Sequence, residues 1–476
     1  MSSNMLILNL LIFGERALIM DRGAQAQEAE DELLPSWAEA LYRELTMAPI
    51  RSTGRYHPQF NEFSFTPRII GSSEMYVRAT QSMFEELGFI RKYRIRRDRL
   101  AHFLLQISSG YQDLPYHNWS HAFSVTHFAY LLLRTDTVKN ALGGLEQLAF
   151  FIACLGHDIG HPGTNNHFQL KLQTPLAKLY SREGSVLEHY HYTQTASLLY
   201  RDECNILDNL PIEQFNTVLS AIHDIILSTD IAMLFKKTDK IREMLRVGYN
   251  KNNEKHHRLL LSLLMSACDL SDQSKPFHSS KHMAESVFTE FFSQGDLEKQ
   301  MGQPPIEMMD RERALVPKLQ LEFFDKVALP VYEMLAKAVP EAASTHSGII
   351  ETRRYWVALH EILRTREEPT LGLGFLHDGQ LEREVIWQVT GVDPGLVEQL
   401  QVQASDSDVV EEMRRKRSAS IARSQTSSPP QTKKMSTISR PDTPRSRFQN
   451  FSPHLAVRAS RDSVLNFNDP FLVSGH

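Results

Sequence analysis

Two short segments hold the residues best suited to chemistry, YHNWSH at 116–121 and HDIGH at 157–161. In each segment two histidines stand four residues apart, and on a helix that spacing would direct both imidazoles from one face into the same space. The second segment adds an aspartate beside its first histidine. Neutral imidazoles and ionised carboxylates are the ligands that hard and borderline divalent ions prefer. The two segments therefore predict the metal site of a hydrolase.

A further carboxylate, Asp269, ends the apolar segment 259–268, which we predict to be a buried helix. A buried carboxylate is costly unless a cation or strong hydrogen-bond donors compensate its charge. A metal shared with the two histidine segments would satisfy it. A single histidine on an apolar face is more often a core residue, and motif matches carry a false-positive risk. Because four histidines and two aspartates recur in tight spacings, the metal interpretation is favoured.

The composition is that of an ordinary globular protein. A chain of 476 residues suits one large domain or two ordinary ones, and a net charge of −5 gives no indication of nucleic-acid binding. Cys154, Cys204 and Cys268 are isolated and form no metal motif. We therefore expect packing cysteines in a reduced, cytoplasmic protein that binds no nucleic acid.

Four regions are distinguished by their composition. Residues 51–365 carry apolar side chains at three- and four-residue steps, with little strand-like alternation, which predicts an all-α domain. Residues 1–50 form an extension that we expect to be poorly ordered, and 366–404 a helical or mixed segment. Residues 405–476 are rich in Ser, Thr, Pro and Arg and poor in large apolar residues, so we predict a disordered tail.

The N-terminal extension contains one apolar patch, MLILNLLIF at 5–13. It is too short to cross a bilayer, which needs about 20 apolar residues, and it is weak as a signal peptide. A peripheral membrane contact is one interpretation, and an alternative translation start without a folded role is the favoured one. The extension is also shorter than a typical domain of about 100 residues, so we expect no folded sensing module before the helical domain.

The segments YHNWSHAFSVTHFAYLLL and FFIACLGHDIGHPGTNNHFQ resemble the signature of class I cyclic-nucleotide phosphodiesterases. The resemblance covers roughly 56–335, and wording such as FFSQGDLEK is most similar to the cGMP-stimulated, dual-specificity branch. It implies a compact, many-helix fold of the HD type. It also implies metal-dependent hydrolysis of cAMP, cGMP or both to 5′-nucleoside monophosphates, which ends a cyclic-nucleotide signal.

The resemblance also implies the metal ligands. Asp158 would bridge a tightly bound ion, commonly zinc, to a second ion, usually magnesium or manganese. His161 and Glu188 match positions that hold the waters of the second ion, and an ordinary polar interaction is the alternative for both. The residues that match the ligands of the tight site are His121, His157, Asp158 and Asp269.

His117 matches the proton donor of the family. It would protonate O3′ as the P–O bond breaks, a role suited to a side chain that titrates near neutral pH. Glu290 either orients that imidazole or is a solvated acid on a helix.

Base recognition is implied for Gln320, because an amide offers a donor and an acceptor and can pair with either purine edge. Phe323, three residues on, would stack on the base or pack in the core. Tyr116 and Asn166 match other pocket positions. Gln273 is the neighbour that we expect to set the orientation of Gln320, and the choice between cAMP and cGMP stays open.

Gly160 departs from the family pattern, since many relatives have an acidic residue there. The ligands are intact, so we expect activity, with a changed environment of the metal. An HD-type nucleotidase would explain the HD pair at 157–158 but would not require Gln320 and Phe323. A non-catalytic scaffold would typically have lost a ligand, and none is lost.

The tail carries basic and Ser/Thr-Pro sequences around Ser418, Ser420, Ser428 and Thr443. Kinases that recognise such sequences are the partners we expect beside the cyclic nucleotide, with phosphates acting on the basic cluster through charge. An unmodified, solubilising tail is the alternative, and homodimerisation is left open.

Overall fold

The computed structural model describes residues 36–181, 184–366 and 372–392. Over these ranges the chain is helical and forms no strand, which confirms the predicted all-α fold. The disordered tail and most of the N-terminal extension were predicted for residues outside these ranges. Of the described residues, 36–382 form one compact unit, which holds the sites discussed below, and a second unit begins at Arg383.

The helices are short to medium in length and follow one another closely along the chain. Helix α14 is the longest of those described, and it lies beside the site that follows. The α-helices are α1 Ser36–Met47, α2 Ser73–Glu86, α3 Phe89–Lys92, α4 Arg97–Ser109, α5 Trp119–Arg134, α6 Asp136–Ala141, α7 Gly144–Gly156, α8 Asn166–Lys171, α9 Pro175–Tyr180, α10 Val186–Tyr200, α11 Ile212–Ile226, α12 Ile231–Val247, α13 Glu254–Asp269, α14 Phe277–Gln300, α15 Val316–Phe323, α16 Leu329–Ala338, α17 Ala343–Thr365 and α18 Gly379–Thr390.

Shorter turns join several of these helices. A π-helical turn, Phe324–Ala328, leads from α15 directly into α16. A 3₁₀ turn, Ser271–Ser274, follows α13 and directs the chain towards α14. Other 3₁₀ turns are Thr53–Arg55, Pro67–Ile70, Leu227–Thr229, Glu307–Met309, Pro340–Ala342 and Gly374–His377.

Helices α5, α7 and α13 form the centre of the fold. Helix α7 packs against α5, α11 and α13, and α13 also packs against α5. Nearly every residue of α5 and the last nine of α7 are buried, as expected for helices that are apolar on all sides. The first turn of α5, the turn that follows α7 and the last residue of α13 carry the predicted metal ligands, so the core itself positions the site.

Local sequence fixes where these helices begin and end. The side chain of Asn118 accepts a hydrogen bond from the backbone N–H of His121, at 3.1 Å, and so caps α5. Helix α7 ends at Gly156, and Gly160 then takes a positive φ of 74°, which turns the chain away from the helix axis.

Among the described residues no single helix is both long and apolar enough to cross a membrane. One sharply bent pair, Ile212–Thr229 with Ile231–Val247, meets the length and composition requirements only when taken together.

Candidate active site

Four of the predicted ligands form one buried cluster. His121 Nε2 lies 3.1 Å from Asp269 Oδ1, and His157 Nε2 lies 3.0 Å from Asp158 Oδ2. The two Nε2 atoms are 3.3 Å apart, and one ligand atom from each residue falls within 4.8 Å of the others. Two imidazole nitrogens and two carboxylate oxygens in this arrangement can hold one divalent ion.

The electrostatics of this cluster favour a bound cation. Burial would raise the pKa of Asp158, but the neighbouring histidines hold it well below its usual range. Burial would lower the pKa of His157, but Asp158 and Asp269 raise it well above its usual range. Without a metal the carboxylates thus attract a proton onto the imidazole of His157. An ion of the zinc class would replace that proton, since ligand histidines must be neutral, so the residues present fit a metal.

Contacts behind the cluster orient its ligands. His157 Nδ1 donates to the carbonyl oxygen of Cys154 at 3.0 Å, which leaves Nε2 as the electron-pair donor. Asp272 Oδ2 lies 3.8 Å from His121 Nδ1 and is itself held by Arg68 at 2.8 Å. Sequence analysis did not identify Asp272 or Arg68. The only signal for Asp272 was its position three residues after Asp269.

The predicted proton donor lies beside this cluster. His117 Nδ1 is 2.5 Å from Glu290 Oε1, and the backbone N–H groups of Tyr116 and His117 donate to Glu290 Oε2 at 3.1 and 3.2 Å. Burial would lower the pKa of His117, but Glu290 raises it to about 9. Burial would likewise raise the pKa of Glu290, but His117 lowers it to about 2. The pair is therefore an imidazolium that is hydrogen-bonded to a carboxylate. The sequence left open whether Glu290 orients His117, and the structure contains that contact.

The predicted helical geometry of the histidine pairs is wrong. His117 precedes the cap of α5, and His157 to Gly160 form the turn after α7, so only His121 is in a helix. The two histidines of each four-residue pair therefore have different neighbours. His117 stacks on His161, with ring centroids 4.0 Å apart, while Nε2 of His121 lies 3.3 Å from Nε2 of His157. The cap of α5 and the glycine turn explain this outcome.

A second set of polar groups extends from Asp158. Its Oδ2 faces the four-ligand cluster, while its Oδ1 lies 3.8 Å from His191 Nε2. His191 Nδ1 donates to the carbonyl oxygen of Ile159 at 2.8 Å, and burial lowers the pKa of His191 to about 4. His161 is also buried, with its pKa well below the usual range because of burial and the charge on His117. Both imidazoles are neutral, and within the described residues neither Nε2 has a hydrogen-bond partner. Sequence analysis did not identify His191.

Glu188 and Asn166 lie together at this side of the site. Asn166 Nδ2 lies 3.1 and 2.9 Å from the two carboxylate oxygens of Glu188, and Asn166 Oδ1 accepts from the N–H of Leu187 at 2.9 Å. Burial and nearby carboxylates raise the pKa of Glu188 well above its usual range. The structure thus places Asn166 at Glu188, and its predicted contact with substrate stays a prediction.

A cleft opens beside Tyr116. Gln320 Nε2 donates to Gln273 Oε1 at 2.9 Å, which confirms the expected neighbour of Gln320. Phe323 lies on the wall of the cleft and is half-buried. The polar amide pair is therefore held within an otherwise apolar cleft. Its lining residues are Tyr116, Leu270, Gln273, Ala284, Val287, Phe288, Phe291, Met308, Leu319, Gln320 and Phe323.

Gly160 suits the local packing. A Cβ atom at this position would lie 2.9 Å from the hydroxyl oxygen of Tyr190, and the positive φ would strain an L residue. Tyr190 thus occupies the space that a side chain at position 160 would take, which accommodates the glycine where many relatives have an acidic residue. The turn also places Asp158, whose backbone N–H donates to the hydroxyl of Tyr111 at 3.3 Å.

Comparison with known proteins agrees with this geometry. Residues 116–349 match the model of the family described as 3′5′-cyclic nucleotide phosphodiesterase. The chain is 38% identical over 287 residues, or 60% of its length, to proteins named cGMP-specific 3′,5′-cyclic phosphodiesterase from Drosophila virilis, Drosophila mojavensis and Drosophila melanogaster. The matched region spans 32%, 26% and 26% of those relatives. The metal cluster and His117 both lie within residues 116–349, so the part of the chain that matches the 3′5′-cyclic nucleotide phosphodiesterase family is the part that carries the site.

Proposed function

We propose that this protein hydrolyses 3′,5′-cyclic nucleotides to 5′-nucleoside monophosphates. The observation that carries the proposal is the position of one imidazolium, His117, between a buried metal cluster and a cleft with an amide on its wall. Tyr116 lines that cleft and is the neighbour of His117 in the chain. A phosphate at the cluster and a base at Gln320 would place the scissile bond beside the proton donor.

Zinc is the ion we propose for the four-ligand cluster, because two histidines and two carboxylates form a donor set that zinc accepts. Magnesium or manganese is proposed for the second position, bounded by Asp158 Oδ1, His191 and His161, since magnesium keeps most of its water ligands. When bound, two ions lower the pKa of a water and neutralise charge on the phosphoryl oxygens. The role of Glu188 and His161 would be to hold the surrounding waters.

The residues of the chain supply the remaining chemistry. Because its pKa is about 9, His117 carries a proton at neutral pH and can donate it to the leaving O3′. Glu290 keeps Nδ1 engaged, so the opposite nitrogen is directed away from the carboxylate. His117 and Glu290 are both buried, which limits the access of bulk water to the proton transfer.

Both cAMP and cGMP are proposed substrates. Gln320 and Gln273 are both amides, so the pair can reverse its donor and acceptor roles and present either one to the base. The relatives compared above are named cGMP-specific, and the similarity to the dual-specificity branch stays a prediction. Phe323 would stack on either purine.

The function is tested by measuring AMP and GMP released from the two cyclic nucleotides. The expected result is release that a chelator abolishes and divalent ions restore. Phosphate release from 5′-nucleotides, without cleavage of cyclic nucleotides, would instead favour the HD-type nucleotidase. Absence of both activities in protein with full metal content would contradict the proposal.

Four properties stay predictions of the sequence: cytoplasmic location, homodimerisation, a membrane contact of segment 5–13 and kinase action on the tail. Segment 5–13 and the tail lie outside the described residues.

A further inference from the structure

A second group of histidines lies on the surface of α14. His278 and His282 stand four residues apart within the helix, and their side chains are 67% and 64% exposed. Their Nε2 atoms are only 3.2 Å apart, with the rings at 87° to one another. Both Nε2 atoms therefore converge on one small, solvent-accessible space.

One carboxylate lies near the Nδ1 side of each ring. Glu382 Oε1 lies 3.2 Å from His278 Nδ1, and Glu285 Oε2 lies 3.8 Å from His282 Nδ1. A carboxylate near Nδ1 favours the tautomer with its proton there, which leaves Nε2 with its electron pair. The same carboxylate–histidine arrangement accompanies histidine ligands in metal sites, where it fixes the ring and raises its basicity.

Each carboxylate has one further partner. Glu382 Oε2 is 2.8 Å from Lys281, which also donates to the carbonyl oxygen of Leu376. Glu285 Oε1 is 2.8 Å from His377 Nε2. Burial would raise the pKa of Glu382, but Lys281 and His278 lower it, so this carboxylate stays ionised. The two carboxylates place negative charge beside the rings, and Lys281 offsets part of it.

Two electron pairs 3.2 Å apart repel one another unless a proton or a cation lies between them. In tetrahedral zinc coordination the metal–nitrogen distance is about 2.0–2.1 Å, which places two ligand nitrogens roughly 3.3 Å apart. The observed separation matches that value. The competing arrangement is a hydrogen bond in which one Nε2–H donates to the other ring.

We propose that His278 and His282 form a surface site for a divalent transition ion of the zinc, nickel or copper class. Imidazole suits these ions, and water would complete the coordination. Glu382 acts as a positioning residue through Nδ1 of His278. The site is separate from the catalytic cluster, whose ligands come from other parts of the chain and are buried. It would connect α14, through His278, to Glu382 in the first turn of α18.

The test uses Ni²⁺ and the full-length enzyme with its catalytic metals bound. Equilibrium dialysis followed by elemental analysis counts nickel, zinc and magnesium in the same sample, so exchange at the catalytic site is detected as lost zinc or magnesium. The expected result is one additional nickel per chain with zinc and magnesium unchanged.

Three variants and one control sharpen this test. His278→Ala and His282→Ala should each weaken the additional nickel site at least about tenfold, because each removes a ligand. Glu382→Gln should weaken it about 10–100-fold, as is typical for partners of ligand histidines. His346→Ala, on α17, is the matched control and should bind nickel as the wild type does.

The proposal is overturned if no additional nickel binds, or if both histidine variants bind it with wild-type affinity. Circular dichroism of each variant establishes that it is folded. Since the two histidines are exposed, both variants should keep cyclic-nucleotide hydrolysis, measured without nickel, within twofold of wild type.

Discussion

The active-site histidines and the surface pair of α14 share a four-residue spacing but differ in geometry. His278 and His282 lie within a helix, and their ring centroids are 4.7 Å apart. His117 and His121 cross the cap of α5, and their ring centroids are 6.0 Å apart. The spacing brings side chains together only where the backbone is helical throughout. In the active site the packing of separate helices brings the side chains together, and it also buries the ligands.

The buried cluster is expected to be the most sensitive part. Asp269→Ala should lower hydrolysis by at least about 10³-fold, because a metal supplies several kcal/mol of charge stabilisation in the transition state. Metal content measured on the same sample should also fall. Asp239→Ala, which removes a fully exposed aspartate, is the control. A variant of Asp269 with full metal content and full activity would contradict the ligand assignment.

His117→Ala should lower turnover by about 10²–10⁴-fold, as expected for loss of general acid catalysis, and should leave metal content unchanged. A substrate analogue whose leaving group needs no protonation should restore much of the rate. Equal impairment on the analogue and on cAMP would show that His117 is not the proton donor.

Glu290→Gln should have a smaller effect on rate and a specific effect on pH dependence. In the wild type His117 stays protonated up to a pKa of about 9, so activity should fall as the pH rises through that value. Loss of the carboxylate removes the main cause of the raised pKa, and the basic limb should move to lower pH. The measurement is kcat/KM against pH at saturating metal. An unchanged basic limb would mean that a group other than His117 causes it.

Gln320→Ala should lower kcat/KM for both cyclic nucleotides by about 10–100-fold, because hydrogen-bonding groups of the base lose their partner. Gln273→Ala should act less on the rates and more on the ratio of cAMP to cGMP turnover, since it frees Gln320 to turn. Phe323→Leu, which keeps an apolar side chain on the wall of the cleft, should be measured alongside. If neither glutamine variant changes either rate, the base is recognised elsewhere.

The smallest effect is expected at the surface pair. His278→Ala and His282→Ala should leave hydrolysis within twofold, measured at the optimum for the wild type without added nickel. A large loss in either variant would mean that α14 transmits changes at its N-terminal half to Glu290, and the two histidine regions would then not be independent.

The sequence by itself predicted the fold class and the side chains that form the metal cluster. The ligands His121, His157, Asp158 and Asp269 converge in the structure, and apolar periodicity correctly predicted the helices that bring them together. The helices follow from local spacing and the metal-binding side chains from residue type, whereas the choice of these four ligands came from the family resemblance.

The tertiary structure decided which distant groups complete the site. His191, Arg68 and Asp272 come from separate elements, and no local pattern links Arg68 to an aspartate 204 residues away. The cap at Asn118 and the turn at Gly160 likewise determined which histidines face one another. Contacts of this kind follow from how helices pack, because packing joins side chains without regard to their distance along the chain.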